Sequence, residues 1–127
     1  ELKTNREFAL AVVHGDGAAL RHLPEEIKRD GGVVLEAIRE HPSALLWAAL
    51  ELQGSREFVL AAVQANGVSL RYASQEMRRD AGVVFAAMSQ NMQALWYGSP
   101  ELKHDERFTR AVQRLLQLSQ EHEHFEG

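Results

Sequence analysis

An all-α fold, a short α-solenoid of stacked helical units closed by a C-terminal capping helix, is what this sequence predicts. Three observations predict it. The chain repeats itself without insertion or deletion: from Arg6 it reads REFALAVVHGDGAALRHLPEEIKRD, GGVVLEAIREHPSALLWAALELQGS, REFVLAAVQANGVSLRYASQEMRRD, AGVVFAAMSQNMQALWYGSPELKHD and a shorter ERFTRAVQRLLQLSQ. Columns of that alignment, 25 residues apart, each hold one physical character. Asn5, Asp30, Ser55, Asp80 and Asp105 are all helix-capping types, Leu20, Leu45, Leu70 and Leu95 form an apolar column, and Glu1, Glu26, Glu51, Glu76 and Glu101 each precede Leu, Ile or Met. Finally, no alternating run or hairpin turn between β-branched segments supports a strand.

Each unit reads as one long helix and two short ones. In the third unit Ser55 caps a helix over residues 56–65, with Glu57 in the first turn, where a negative charge complements the helix dipole. Phe58-Val59-Leu60-Ala61-Ala62-Val63 is apolar on every side, so this helix is expected to lie between neighbours. Asn66-Gly67 is expected to end it, since both tolerate a left-handed helix terminus. Leu70 and Ala73 then turn inward from a short second helix, and Ser74 caps a third over residues 75–79. In the fourth unit the same place holds Ser99-Pro100-Glu101, with cap, first-turn proline and first-turn acid in order. The fifth unit differs. Phe108, Ala111, Val112, Leu115 and Leu118 form one apolar stripe opposite Thr109, Arg110, Gln113, Arg114 and Gln117, the pattern of a terminal cap on which nothing stacks. The polar tail from Gln120 is expected to fray, and the N-terminal end shows no cap of this kind.

A doubled period overlies the first. Arg6-Glu7-Phe8 returns as Arg56-Glu57-Phe58, Leu20-Arg21 as Leu70-Arg71, and Gly32-Val33-Val34 as Gly82-Val83-Val84. Even units place Pro42 or Met92 where odd units have Gly17 or Gly67, and Leu46 or Trp96 where odd units have Arg21 or Arg71. The organisation is therefore the end of a preceding repeat (residues 1–5), module one (6–55), module two (56–105), and a capping helix with its tail (106–127), all in one continuous domain. The string REFVLAAVQANGVSLRYASQEMRRDAGVVFAAM resembles the tandem repeat of domain-of-unknown-function family 4116. The resemblance covers nearly all of residues 1–105. In the first module it is looser, with Asp16-Gly17 and Leu23-Pro24 replacing Asn-Gly and Ala-Ser. That family, expanded in algae, other protists and some bacteria, implies a repeat fold and no particular activity, cofactor or catalytic residue.

Of the 127 residues 45% are hydrophobic and 25% charged, the balance of an ordinary soluble domain. A net charge of −4 argues against a nucleic-acid surface, since such domains are usually basic. There is no cysteine and hence no disulfide framework. The longest apolar run, Ala44 to Leu50, is far short of the roughly 20 residues that span a bilayer. The chain opens at Glu1, mid-repeat, which reads as a processed or excerpted piece of an intracellular protein, an organelle being one compartment this allows.

Candidates for chemistry are few. His122 and His124 flank one glutamate in the tail without a third ligand of matching spacing, so no metal or other cofactor is expected. His14, His22, His41 and His104 stand in different columns with no nucleophile partner, and Glu36 and Glu40 read as a solvated face. Gly15-Asp16-Gly17 follows no strand and is not a phosphate loop. The informative column is aromatic: His22, Trp47, Tyr72 and Tyr97, with Trp96 beside the last. Its bland reading is packing between units. Its functional reading is a partner-binding ladder of Trp47, Tyr72, Trp96 and Tyr97 with Arg71 at its rim, because Trp, Tyr and Arg dominate interface energetics. Lys28-Arg29, Arg78-Arg79 and Lys103 form a second basic ladder that reads as a solvated face. The expected function is a non-enzymatic protein–protein interaction or scaffold module, an accessory subunit or domain of a larger assembly in an alga or other protist, with another protein as partner. The alternative is an RNA-binding helical repeat, one base or phosphate per unit.

Overall fold

The computed structural model describes the backbone of residues 2–126 and the side chains of residues 5–121. The described residues form helices and short connections, with no strand. In chain order they are α1 (Leu2–Gly15), η1 (Gly17–His22), α2 (Glu25–Lys28), α3 (Gly31–Glu40), η2 (Pro42–Trp47), α4 (Leu50–Gln53), α5 (Arg56–Ala65), η3 (Gly67–Tyr72), α6 (Gln75–Arg78), α7 (Ala81–Gln90), η4 (Met92–Tyr97), η5 (Pro100–His104) and α8 (Glu106–Glu126), η marking 3₁₀ helices. The long helices α1, α3, α5, α7 and α8 lie side by side in sequence order, and η1 to η4 stack as a second row against them. This is the expected all-α repeat stack, and α5 is sandwiched between α3 and α7 as its unbroken apolar run requires.

The capping column works as expected from the second unit onward. Asp30 accepts from the amides of Gly32 and Val33, Ser55 from Phe58, Asp80 from Val83 and Asp105 from Phe108. Asn5 departs from its column: it lies inside α1, which runs unbroken from Leu2 where the internal units break between α4 and α5. The Asn-Gly corner also departs from expectation. Neither glycine nor any other described residue has positive φ, and Asn66 is extended, at φ −156°. Asn66 instead starts the next helix, its Oδ1 accepting from the Val68 amide, while its Nδ2 donates to the carbonyls of Ile38 and Arg39 at the end of α3. Gly67 is there for close approach: a Cβ would sit 2.7 Å from the Ala87 carbonyl oxygen. The short second helix is 3₁₀ in every unit, its Leu20, Leu45 and Leu70 fully buried. Leu95 breaks that column at 41% exposure, because the last pair has only α8 beyond it.

The core forms two clusters, one on α1 and α3 reaching Phe58 and Ala62, the other on α5 and α7 reaching Leu102 and Phe108. Phe108, Val112 and Leu115 of α8 pack on the second cluster, which makes α8 the cover of α7. Leu118 falls off this stripe and is exposed, and the helix continues to Glu126 through the tail expected to fray.

A recurrent clamp ties consecutive long helices. Arg6 Nε lies 2.7 Å from Asp30 Oδ2, and Arg56 Nε lies 2.7 Å from Asp80 Oδ2 with a second bond from Nη2 to Oδ1 at 3.2 Å. Thus each Asp both caps its own helix and grips the arginine of the preceding one. The guanidinium lies where a Cβ at Gly32 or Gly82 would be, 2.5 Å from Nη2 in both cases. The Arg56 hydrogen bond holds the Asp80 carboxyl below its ordinary range, with the cap amides helping against burial. Burial acts most strongly on Asp30, upward, but the Arg6 bond and the two cap amides together leave its carboxyl lowered as well.

Candidate functional site

The second module opens a cleft of about 520 Å³ between η3, α6 and the turn from η4 into η5. It is lined by Arg71, Arg78 and Arg79, by Trp96 and Tyr97, and by Gln75 and Glu101. The local sequence explains the placement. Ser74 caps α6 by accepting from the Met77 amide, and that single turn puts Met77 into the core and Arg78 and Arg79 on the cleft side. The Ser99 amide donates to the Arg78 carbonyl at 2.8 Å, pinning the two walls together across the cleft floor. Gly98 lets η4 press on α7, since a Cβ there would lie 2.9 Å from Val84 Cγ1.

The side chains are arranged unevenly. Trp96 is 85% exposed, a large indole held out from the surface. Tyr97 is half-buried against the second core cluster. The Arg71 Cζ lies 5.7 Å from the centroid of the Tyr72 ring, within cation–π range, which steadies the guanidinium. Arg78 is half-buried and its Nε, shielded from solvent, meets no protein acceptor. Arg79 stands 3.9 Å from Glu101, an ion pair too long for a hydrogen bond.

Of the five residues singled out in the sequence, the cleft therefore gathers Arg71, Trp96 and Tyr97. Trp47 and Tyr72 are instead half-buried against the first core cluster, so the aromatic column is not a continuous exposed ladder. The side chains of His122 and His124 lie outside the described residues, and among the described residues no group of three or more His, Asp or Glu is placed to hold a metal. Two readings of charge are corrected. The basic ladder is not simply solvated, since Arg29 and Arg79 pair with Glu51 and Glu101 of the glutamate column and Arg78 is partly enclosed. Nor is Glu36 merely solvated: it lies 2.8 Å from His14 Nδ1 and 3.7 Å from Arg39. Sequence reasoning missed Arg78 and Arg79 as cleft residues. Their signal was the basic pair falling immediately after the buried Met77, on the far side of a one-turn helix.

No helix among the described residues is long and apolar enough to cross a membrane. Neither a curated protein nor a solved structure matches this chain. A family model matches over residues 5–53 and again over 55–103, leaving the last helix outside, and each match contains one arginine–aspartate clamp. The chain belongs to the family described as domain of unknown function (DUF4116), of which it carries two tandem copies.

Proposed function

We propose that this chain is a non-enzymatic binding module for another protein, and that the cleft of module two takes an acidic segment of that partner carrying a flat or apolar side chain beside its carboxylates. The single observation that carries the reading is Trp96, 85% exposed at the lip of a cleft lined by Arg71, Arg78 and Arg79. Leaving so large an indole in water gives up roughly 1.5–3 kcal/mol of burial that a partner can recover. Arg71 and Arg79, both exposed, supply complementarity of charge for a carboxylate. A scaffold or accessory-subunit role within a larger assembly follows from the same surface.

The test is selection from a displayed peptide library against the intact chain. The expected winners are acidic peptides with an aromatic or proline residue. Trp96→Ala should weaken a selected peptide by about 2 kcal/mol or more, the scale of an interface hot spot, while the melting temperature stays within a degree or two. Selection of peptides without acidic character, or a Trp96→Ala variant that melts far below the parent and binds as before, refutes the reading. Tight binding of single-stranded RNA oligonucleotides instead, with affinity falling steeply as salt rises and lost in Trp96→Ala, would replace the protein partner by nucleic acid.

A further inference from the structure

A second hollow, more apolar than the arginine cleft, is found among the described residues. It lies at the N-terminal end of the stack between α1 and α2, about 640 Å³ in volume, walled by Phe8, Ala9, Leu23, Pro24 and Ile27. Phe8 is 67% exposed there. The internal repeat shows what belongs on it. Phe58 occupies the same column of the next module and is only 9% exposed, because its ring rests on the first residue of α3, where a Cβ at Gly31 would meet Phe58 Cε1 at 3.4 Å. The third member, Phe108, is buried in the core cluster that includes Ala81, the first residue of α7. Both covered phenylalanines thus seat against an even unit whose long helix begins with Gly or Ala. Phe8 shares its hollow with Leu23, Pro24 and Ile27, and among the described residues no such helix covers it. Ile27 is likewise half-buried where Met77, its counterpart, is buried.

The backbone carries a matching difference. Internally, residues 50–53 form the one-turn α4, and Ser55 is extended (φ −89°, ψ 114°) and caps α5. At the N-terminal end the corresponding stretch is absorbed into α1, with Asn5 inside the helix. We infer that the N-terminal face is a docking surface for a further even unit of this same repeat stacked ahead of α1, and that its arrival breaks α1 at Asn5, which then takes up the capping place Ser55 holds. A second copy of the chain is not the fitting occupant. The only even helix it could offer from its end is α7, which α8 already covers.

The experiment extends the intact chain by a copy of residues 31–50 placed ahead of Glu1, so that residues 1–5 stand where residues 51–55 stand after the original. The extended chain should melt at least about 5 °C above the parent, and Phe8→Ala should lower its melting point by several degrees while barely moving the parent's. The Asn5 Cα chemical shift should move from its helical to its extended value on extension. An equal Phe8→Ala effect in the two chains together with a helical Asn5 in both overturns the inference. So does a parent that dimerises through Phe8 and remains dimeric when extended, since the occupant is then a second copy. If the extension prevents folding, a peptide of residues 31–55 added to the intact parent serves instead. Saturable binding that Phe8→Glu abolishes supports the docking face, and unchanged parent spectra at millimolar peptide overturn it.

Discussion

Modules one and two share a scaffold and differ in what they leave outside. Position for position, Arg21, Glu25, Lys28, Arg29, Leu46 and Trp47 become Arg71, Gln75, Arg78, Arg79, Trp96 and Tyr97. The exchange removes one carboxylate, turns an ammonium into a guanidinium and replaces an exposed leucine by an exposed indole. The connections change with it. In module one Arg29 Nε hydrogen-bonds Glu51 at 3.0 Å, and Gln53 ties the end of η2 by donating to the carbonyls of Leu46 and Ala48. In module two the same ion pair opens to 3.9 Å and Lys103 stands in place of the glutamine. Module one thus spends its polar groups on itself, whereas module two leaves them facing its cleft. Corresponding clamps and largely shared core columns with divergent clefts are how a repeat fold separates stability from recognition.

The comparison breaks first, and hardest, at the core columns. Leu45→Ala and Leu70→Ala should each cost about 2–5 kcal/mol in chemical denaturation, whereas Leu95→Ala, on a partly exposed side chain, should cost well under half of that. Similar losses at all three would mean that the last pair is packed like the first. The phenylalanine column offers a sharper contrast: Phe58→Ala should cost about 3–5 kcal/mol and Phe8→Ala in the 127-residue chain less than about 1 kcal/mol. A third substitution probes a difference with the opposite sign. Ser69 is fully buried and its hydroxyl meets no acceptor, where module one has Ala19. Ser69→Ala should therefore stabilise the fold by about 1 kcal/mol, and a destabilised variant would reveal a hydrogen bond to that hydroxyl.

The smallest expected effect is one of pH. Hydrogen bonding to Glu36 and the charge of that carboxylate raise the His14 pKa above its ordinary value of 6.5. The pair therefore favours the folded state while the imidazolium persists, and its contribution fades as pH rises from the unfolded value through the raised folded one. Module two has Gln64 and Ala86 at these places and can show no such step. An NMR titration should find His14 above 6.5 in the parent and lowered in Glu36→Gln, with no change in either module's core resonances. A His14 that titrates identically in both chains would dissolve the pair.

The capping column, the inward leucines and the wrap of α8 over α7 were all readable from residue types, because caps and buried apolar faces are local demands that recur at each turn of the repeat. The arginine–aspartate clamp was readable only in part. Arg and Asp sit 24 residues apart in both modules, but nothing local says that one side chain crosses to the next helix, or that Gly32 and Gly82 are bare to admit it. Of the cleft, Arg71, Trp96 and Tyr97 could be nominated by chemistry, while Trp47 could not be told from Trp96.

By itself, then, the sequence determined the architecture: its period, its helix starts, its apolar columns and its closed C-terminal end follow from patterns that each unit must satisfy alone. Tertiary structure decided what the pattern leaves equal. Whether a phenylalanine is buried depends on what packs against it, so Phe8 and Phe58 share a column and have opposite environments. Whether an aromatic is core or surface depends on the walls around it, so Trp47 packs and Trp96 protrudes. Burial is a property of neighbours, and neighbours in a stack come from the next unit along rather than from the residue's own.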